Sequence, residues 1–101
     1  MNAKKELLEI LGDNRIKCAS ILHDKYYEKE KKNFKLKIGY SPEEFNQFID
    51  SLDFEYDNGY GGQELFGIVW FEDGTWLERG EYDGSELWEH KICPVIPKEL
   101  I

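Results

Sequence analysis

The sequence predicts an α+β domain, an antiparallel sheet built from an N-terminal hairpin and a C-terminal three-stranded meander, with two helices. Three observations carry that expectation. Between Gly59 and Ile92, two Asp-Gly pairs, Asp73-Gly74 and Asp83-Gly84, divide the chain into three apolar-aromatic runs. Asp-Gly readily supplies the positive φ that both central residues of a type I′ turn require. Phe34-Lys35-Leu36-Lys37-Ile38-Gly39-Tyr40 alternates, the two-residue period of a half-buried strand with its lysines in water. Ser41-Pro42-Glu43-Glu44, followed by Phe45, Phe48, Ile49 and Leu52, combines a cap, a first-turn proline and an apolar stripe at helical spacing.

Taken in order, residues 3–11 form the first helix. Asn2 caps its start, Gly12 suits the position after its end, and Leu7, Leu8, Ile10 and Leu11 give it an apolar side. So short a helix is marginal alone and must dock. Residues 14–23 read as a strand with Ile16, Cys18, Ser20 and Leu22 on one side. Residues 24–32 are a charged, solvated connection to the strand at 34–40, and the two strands form a hairpin. The capped helix 42–52 follows. Residues 53–57, alternating acid and aromatic, read as a short extra strand. The meander strands are 64–72, 75–82 and 85–92. Residues 93–101 contain two prolines, so they are expected to run extended along a sheet edge through Val95, Ile96 and Leu100. The expected order is α-β-β-α-(β)-β-β-β, one domain spanning residues 1–101.

Two-residue loops at both turns fix the register. They pair Phe71 with Trp76 and Val69 with Glu78, then Arg79 with Trp88, Leu77 with His90 and Glu81 with Glu86. Phe66, Ile68, Trp70, Leu77, Trp88 and Ile92 then share the expected core face, which helix 42–52 covers. The opposite, mixed face carries Val69, Phe71, Trp76, Glu78, Tyr82, Leu87 and Glu89.

At 101 residues, with 41% hydrophobic and 15% aromatic content, the chain folds around a single core. No apolar run reaches the roughly 20 residues of a membrane span, and the charged N-terminus lacks a signal-peptide core, so a cytoplasmic setting is expected. Cys18 and Cys93 form no C-x-x-C motif and read as reduced, small apolar residues. Charge is divided unevenly. Residues 1–40 hold ten basic and six acidic side chains, whereas residues 41–91 hold two basic and fourteen acidic ones; the whole carries −8. Such an acidic field opposes direct contact with nucleic acid and favours basic partners.

No motif of known chemistry stands out. The loop Asp57-Asn58-Gly59-Tyr60-Gly61-Gly62 lacks the lysine and the following helix of a phosphate loop. Asp53, Glu55, Asp57 and Glu64 have the wrong glycine position for a calcium loop. His23 and His90 stand alone at strand ends, so neither is expected as a ligand or base. Glu78, Glu81, Glu86 and Glu89 cluster on the last hairpin beside Arg79. Like charges opposite each other are mildly destabilising, so the cluster calls for a cation or a basic partner. Arg79 itself is expected to lie against Trp88 and bridge to a glutamate. No catalytic residues, metal or cofactor are assigned.

The run L-F-G-I-V-W-F-E-D-G-T-W-L-E-R-G-E-Y-D-G-S-E-L-W-E, centred on W-L-E-R-G-E-Y-D-G-S, resembles small acidic proteins of phages and prophages of Firmicutes-type bacteria. The resemblance spans about half the chain and brings no catalytic residues. It implies a context: such proteins are often inhibitors of host machinery, anti-CRISPR-like proteins among them. The basic N-terminal third departs from a purely acidic mimic of nucleic acid. The expected function is a non-enzymatic acidic binder of a basic, nucleic-acid-handling host protein. Glu78, Glu81, Glu86 and Glu89 stand for phosphates, and Trp76, Tyr82 and Tyr60 give anchoring area. The alternatives are a small-molecule or divalent-metal site on the same glutamates with Arg79, and a homodimer that buries the mixed face.

Overall fold

The computed structural model describes residues 1–24, 31–59 and 62–101. Two helices, α1 (Ala3–Leu11) and α2 (Pro42–Ser51), pack on one side of a five-stranded antiparallel sheet. Its strands are β1 (Ile16–His23), β2 (Lys32–Leu36), β3 (Leu65–Phe71), β4 (Trp76–Tyr82) and β5 (Ser85–Lys91), in spatial order β2-β1-β3-β4-β5. The expected hairpin and meander are both present, joined through the β1–β3 ladder at the centre.

The helices form where local chemistry places them. The Asn2 side chain accepts from the Lys5 amide at 2.9 Å, and Gly12 ends α1 at φ 54°. Ser41 accepts from the Glu44 amide at 3.1 Å while the Glu44 carboxylate accepts from the Ser41 amide, a complete capping box. Phe48, Ile49 and Leu52 are buried, and Phe45 is half-buried against Tyr40. The core joins these to Leu7, Leu11, Ile16, Ala19, Ile21, Leu36, Leu65, Val69, Phe71, Leu77 and Trp88.

The two Asp-Gly turns differ. Asp83 (φ 51°) and Gly84 (φ 83°) make the expected two-residue loop, and Arg79↔Trp88, Leu77↔His90 and Glu81↔Glu86 pair as expected. At Asp73-Gly74, however, Ile68 pairs with Glu78, Val69 with Leu77 and Trp70 with Trp76, one residue away from the expected register. The Gly74 amide bonds the Phe71 carbonyl at 3.2 Å, and the Phe71 amide bonds the Thr75 carbonyl at 2.9 Å. That is a three-residue loop, Glu72, Asp73 and Gly74, with Gly74 in the left-handed position at φ 90°. The Asp73 carboxylate accepts from both the Thr75 amide and its hydroxyl, which fixes the longer loop. Gly74→Val strains this position by roughly 1–2 kcal/mol. A lowered urea midpoint with unchanged slope is the expected result.

A one-residue shift exchanges the faces of a strand. Leu65, Val69 and Phe71 therefore point into the core, and Phe66 and Trp70, expected inside, are exposed on the other side. A bulge between Ile16 and Cys18 does the same in β1. Ile16, Ala19 and Ile21 are buried, whereas Cys18, Ser20 and Leu22 turn outward. Helix α2 packs on β2 and α1, away from the expected Trp70–Trp88 region.

Three further expectations are corrected. Strand β2 stops at Leu36, and beyond it Ile38 is exposed and Gly39 adopts positive φ. Residues 53–57 form no strand but a single bridge, Asn2↔Glu55, with Phe54 stacked on His23 and Phe34 and Tyr56 buried beneath. Residues 93–101 do not pack on the sheet edge: Cys93, Val95, Ile96 and Leu100 are exposed, and Lys98–Leu100 form a 3-10 turn. The charged connection at 25–30 lies outside the described residues.

Candidate interaction face

The four glutamates that the sequence groups together are separated by the fold. Glu86 is buried at 4% exposure and faces inward. Its carboxylate receives Arg79 Nη2 at 2.6 Å and also accepts from the amides of Glu64 (2.7 Å) and Leu65 (2.9 Å). The β3–β4 ladder ends at Ile68↔Glu78, so on the edge facing away from β1 the start of β3 is held by this side chain in place of β4. Arg79 lies over the Trp88 ring at 4.9 Å, as expected, and its Nη1 meets Glu6 on α1 at 3.1 Å. Nη2 also donates to the Tyr56 hydroxyl at 3.0 Å, and that hydroxyl donates to Glu6. Burial opposes the Arg79 charge, but Glu6, Tyr56 and Glu86 outweigh it and hold its pKa above the ordinary value. Burial, reinforced by Glu6, likewise raises the Tyr56 phenol. Two carboxylates and one guanidinium form a structural lock in which Arg79 and Glu86 are buried and Glu6 keeps a small exposed edge.

Glu81 is a turn residue: its carboxylate accepts from the Gly84 amide at 2.8 Å. Of the four, only Glu78 and Glu89 remain side by side, paired across β4 and β5 on the face that neither α1 nor α2 covers. Gly80 makes room for Glu89. An ideal Cβ there would lie 1.7 Å from Glu89 Oε1, so the glutamate folds over the glycine, within 3.4 Å of Lys91 Nζ. Glu78 accepts from the Trp76 indole N–H at 3.2 Å.

Around this pair lies an apolar stripe. Trp70 and Trp76 are cross-strand partners, and Phe66 (37%), Trp70 (39%), Leu87 (40%) and Tyr82 (79%) are exposed. Ile68 and Leu22 lie on the same face, half-buried. Of the expected partner-binding residues, the fold thus brings together Trp76, Tyr82, Glu78 and Glu89. It withdraws Glu86 into the core because Arg79 needs a second carboxylate there, and it assigns Glu81 to the turn. Tyr60 lies outside the described residues. Phe66, Trp70 and Leu22 belong to the face although the sequence reading placed them elsewhere or left them out. The signal for the first two was Asp73-Gly74-Thr75, whose threonine and side-chain bonds favour the longer loop.

Among the described residues no group of three or more His, Cys, Asp or Glu is placed to hold a metal ion. His23 meets Glu64 at 3.2 Å and His90 meets Thr75 at 2.9 Å, each a contact between separate segments of the chain. No described helix is long and apolar enough to cross a membrane. The arrangement defines an α+β domain with one covered and one open sheet face. No protein-family model, curated protein or solved structure matches the chain.

Proposed function

We propose that this is a non-enzymatic binding protein that offers the open face of its sheet to a basic protein partner. The observation that carries the reading is the apolar stripe of Phe66, Trp70, Trp76 and Leu87, three of them aromatic, on the face that neither α1 nor α2 covers, beside the Glu78–Glu89 pair. Exposed large apolar side chains grouped on one face mark interaction surfaces, and large aromatics supply most of the binding energy where they are desolvated. The adjacent carboxylates, within a stretch of strong negative charge, steer a cationic partner and reject an anionic one. In the phage setting implied by the W-L-E-R-G-E-Y-D-G-S resemblance, the fitting partner is a nucleic-acid-handling host protein that the binder inhibits.

Reversing both charges, Glu78→Lys with Glu89→Lys, exchanges one like-charge pair for another while bringing the net charge from −8 to about −4, so stability stays near that of the parent. It weakens binding at least tenfold, about 1.4 kcal/mol, mainly through slower association, and the loss shrinks as salt rises. The measurement is a titration against a basic protein recovered by affinity capture, at low and high salt. Binding indifferent to both the reversal and the salt removes the carboxylates from the interface. The Trp70→Ala variant then decides whether the aromatic stripe binds alone.

A further inference from the structure

On the open face Lys35 stands at one end and the Glu78–Glu89 pair near the other. Strands β1 and β2 come from the basic first forty residues and β4 and β5 from the acidic stretch, and the order β2-β1-β3-β4-β5 sends them to opposite sides. The pairing register carries one row across the whole sheet: Lys35, Ser20, Ile68, Glu78, Glu89. The row on one side of it is Cys18, Trp70, Trp76, Lys91, and on the other Leu22 stands opposite Phe66. The face therefore carries Lys35 at one edge, Glu78 and Glu89 with Lys91 beside them near the other, and mainly apolar side chains between.

A face of this kind is complementary to itself. Rotation by half a turn about an axis running along β3, in the plane of contact, lays the same face of a second copy over the first. Strand β2 of each copy then covers β5 of the other, and β1 covers β4. Lys35 of one copy meets Glu89 of its partner, Ser20 meets Glu78, and Phe66, Ile68 and Trp70 meet their own counterparts at the axis. Two sheets packed with nearly aligned strands are a favoured arrangement, and a twofold contact closes on itself without growing into a filament. We infer that the free protein is a twofold homodimer through this face, which masks Glu78, Glu89 and the aromatic stripe until a basic partner displaces the second copy. The inference rests on the reading of this face as the interaction surface, and it adds that binding is regulated by self-association. Five strands at ~4.8 Å spacing and seven residues at ~3.3 Å give a flat face on the order of 500 Å² per copy. That is below the roughly 800 Å² per partner of a standard stable interface, so the dimer is weak and exchangeable, as displacement requires.

The test is sedimentation equilibrium of the full chain from about 1 μM to about 1 mM. The expected result is a reversible dimer that weakens with salt. Lys35→Glu and Glu89→Lys each weaken it at least tenfold, and the double variant, which restores opposite charges across the axis, recovers the parent value. Glu89→Lys is the discriminating arm, because it lowers the net negative charge and would tighten any dimer limited only by overall repulsion. A chain monomeric at every concentration overturns the inference. So does a dimer indifferent to the single reversals, or a double variant no tighter than either single. Lys35→Glu leaves Glu78 and Glu89 in place, so it binds the basic partner at least as tightly as the parent. If the parent is monomeric yet the Glu78→Lys/Glu89→Lys variant loses the partner, the binding face stands and the masking falls.

Discussion

Arg79→Ala is expected to destabilise the protein by about 3–5 kcal/mol, because it strands two carboxylates without their cation. The Arg79 and Glu86 side chains are 1% and 3% exposed, and that of Glu6 is 13% exposed. Removing the guanidinium leaves Glu86 with only the two backbone amides of Glu64 and Leu65, and Glu6 with only the Tyr56 hydroxyl. It also removes the planar group lying on Trp88. The loss is read from the urea midpoint with the slope as a control for two-state unfolding. Neutralising all three ions at once, Arg79→Met with Glu6→Gln and Glu86→Gln, recovers most of it, since a buried ion cluster contributes less than its breakage costs. A parent-like midpoint for Arg79→Ala would show that the cluster is solvated.

Phe48→Ala is expected to cost a similar amount, about 3–5 kcal/mol. Phe48 is 5% exposed on the face of α2 that packs on β2 and α1. Helix α2 has only ten residues, so it depends on docking and not on its own propensity. Small domains carry about 5–15 kcal/mol of stability, so this one truncation removes a large part of it. Melting followed by circular dichroism gives the size of the loss, and a variant that melts like the parent would place α2 off the sheet.

Much of this architecture is legible in the sequence because it is locally encoded. Ser41-Pro42-Glu43-Glu44 sets α2 without reference to the rest of the chain, and Asn2 and Gly12 do so for α1. Asp83-Gly84 admits one short loop, and the β4–β5 register follows from it. The β3 face was not legible in the same way. The Asp73-Gly74 pair by itself admits a two-residue and a three-residue loop, Thr75 tips the choice to the longer one, and one residue of difference turns Trp70 from core to surface. The bulge after Ile16 arises from pairing with β3, far away in the sequence, so alternation alone misplaces Cys18, Ser20 and Leu22. Glu86 reads as surface charge because its reasons for burial, Arg79 on the next strand and the unpaired amides of β3, exist only once the sheet has assembled. The face with Trp76, Glu78, Tyr82 and Glu89 was read from the residues, whereas its aromatic extension through Phe66 and Trp70 required the true register.

The placement of β1 beside β3 also governs the order in which the molecule can assemble. The β4–β5 hairpin closes over a two-residue loop and needs no other part of the chain. The β1–β3 ladder, which joins Ile21 to Gly67, must first close a loop of about 45 residues, an entropic cost that local hairpins avoid. Gly67 makes that ladder exacting, since an ideal Cβ there would lie 2.2 Å from the Ser20 carbonyl oxygen. During synthesis, therefore, the β1–β2 hairpin emerges with one edge of β1 unpaired. It stays so until β3 leaves the ribosome and fills the centre of the sheet.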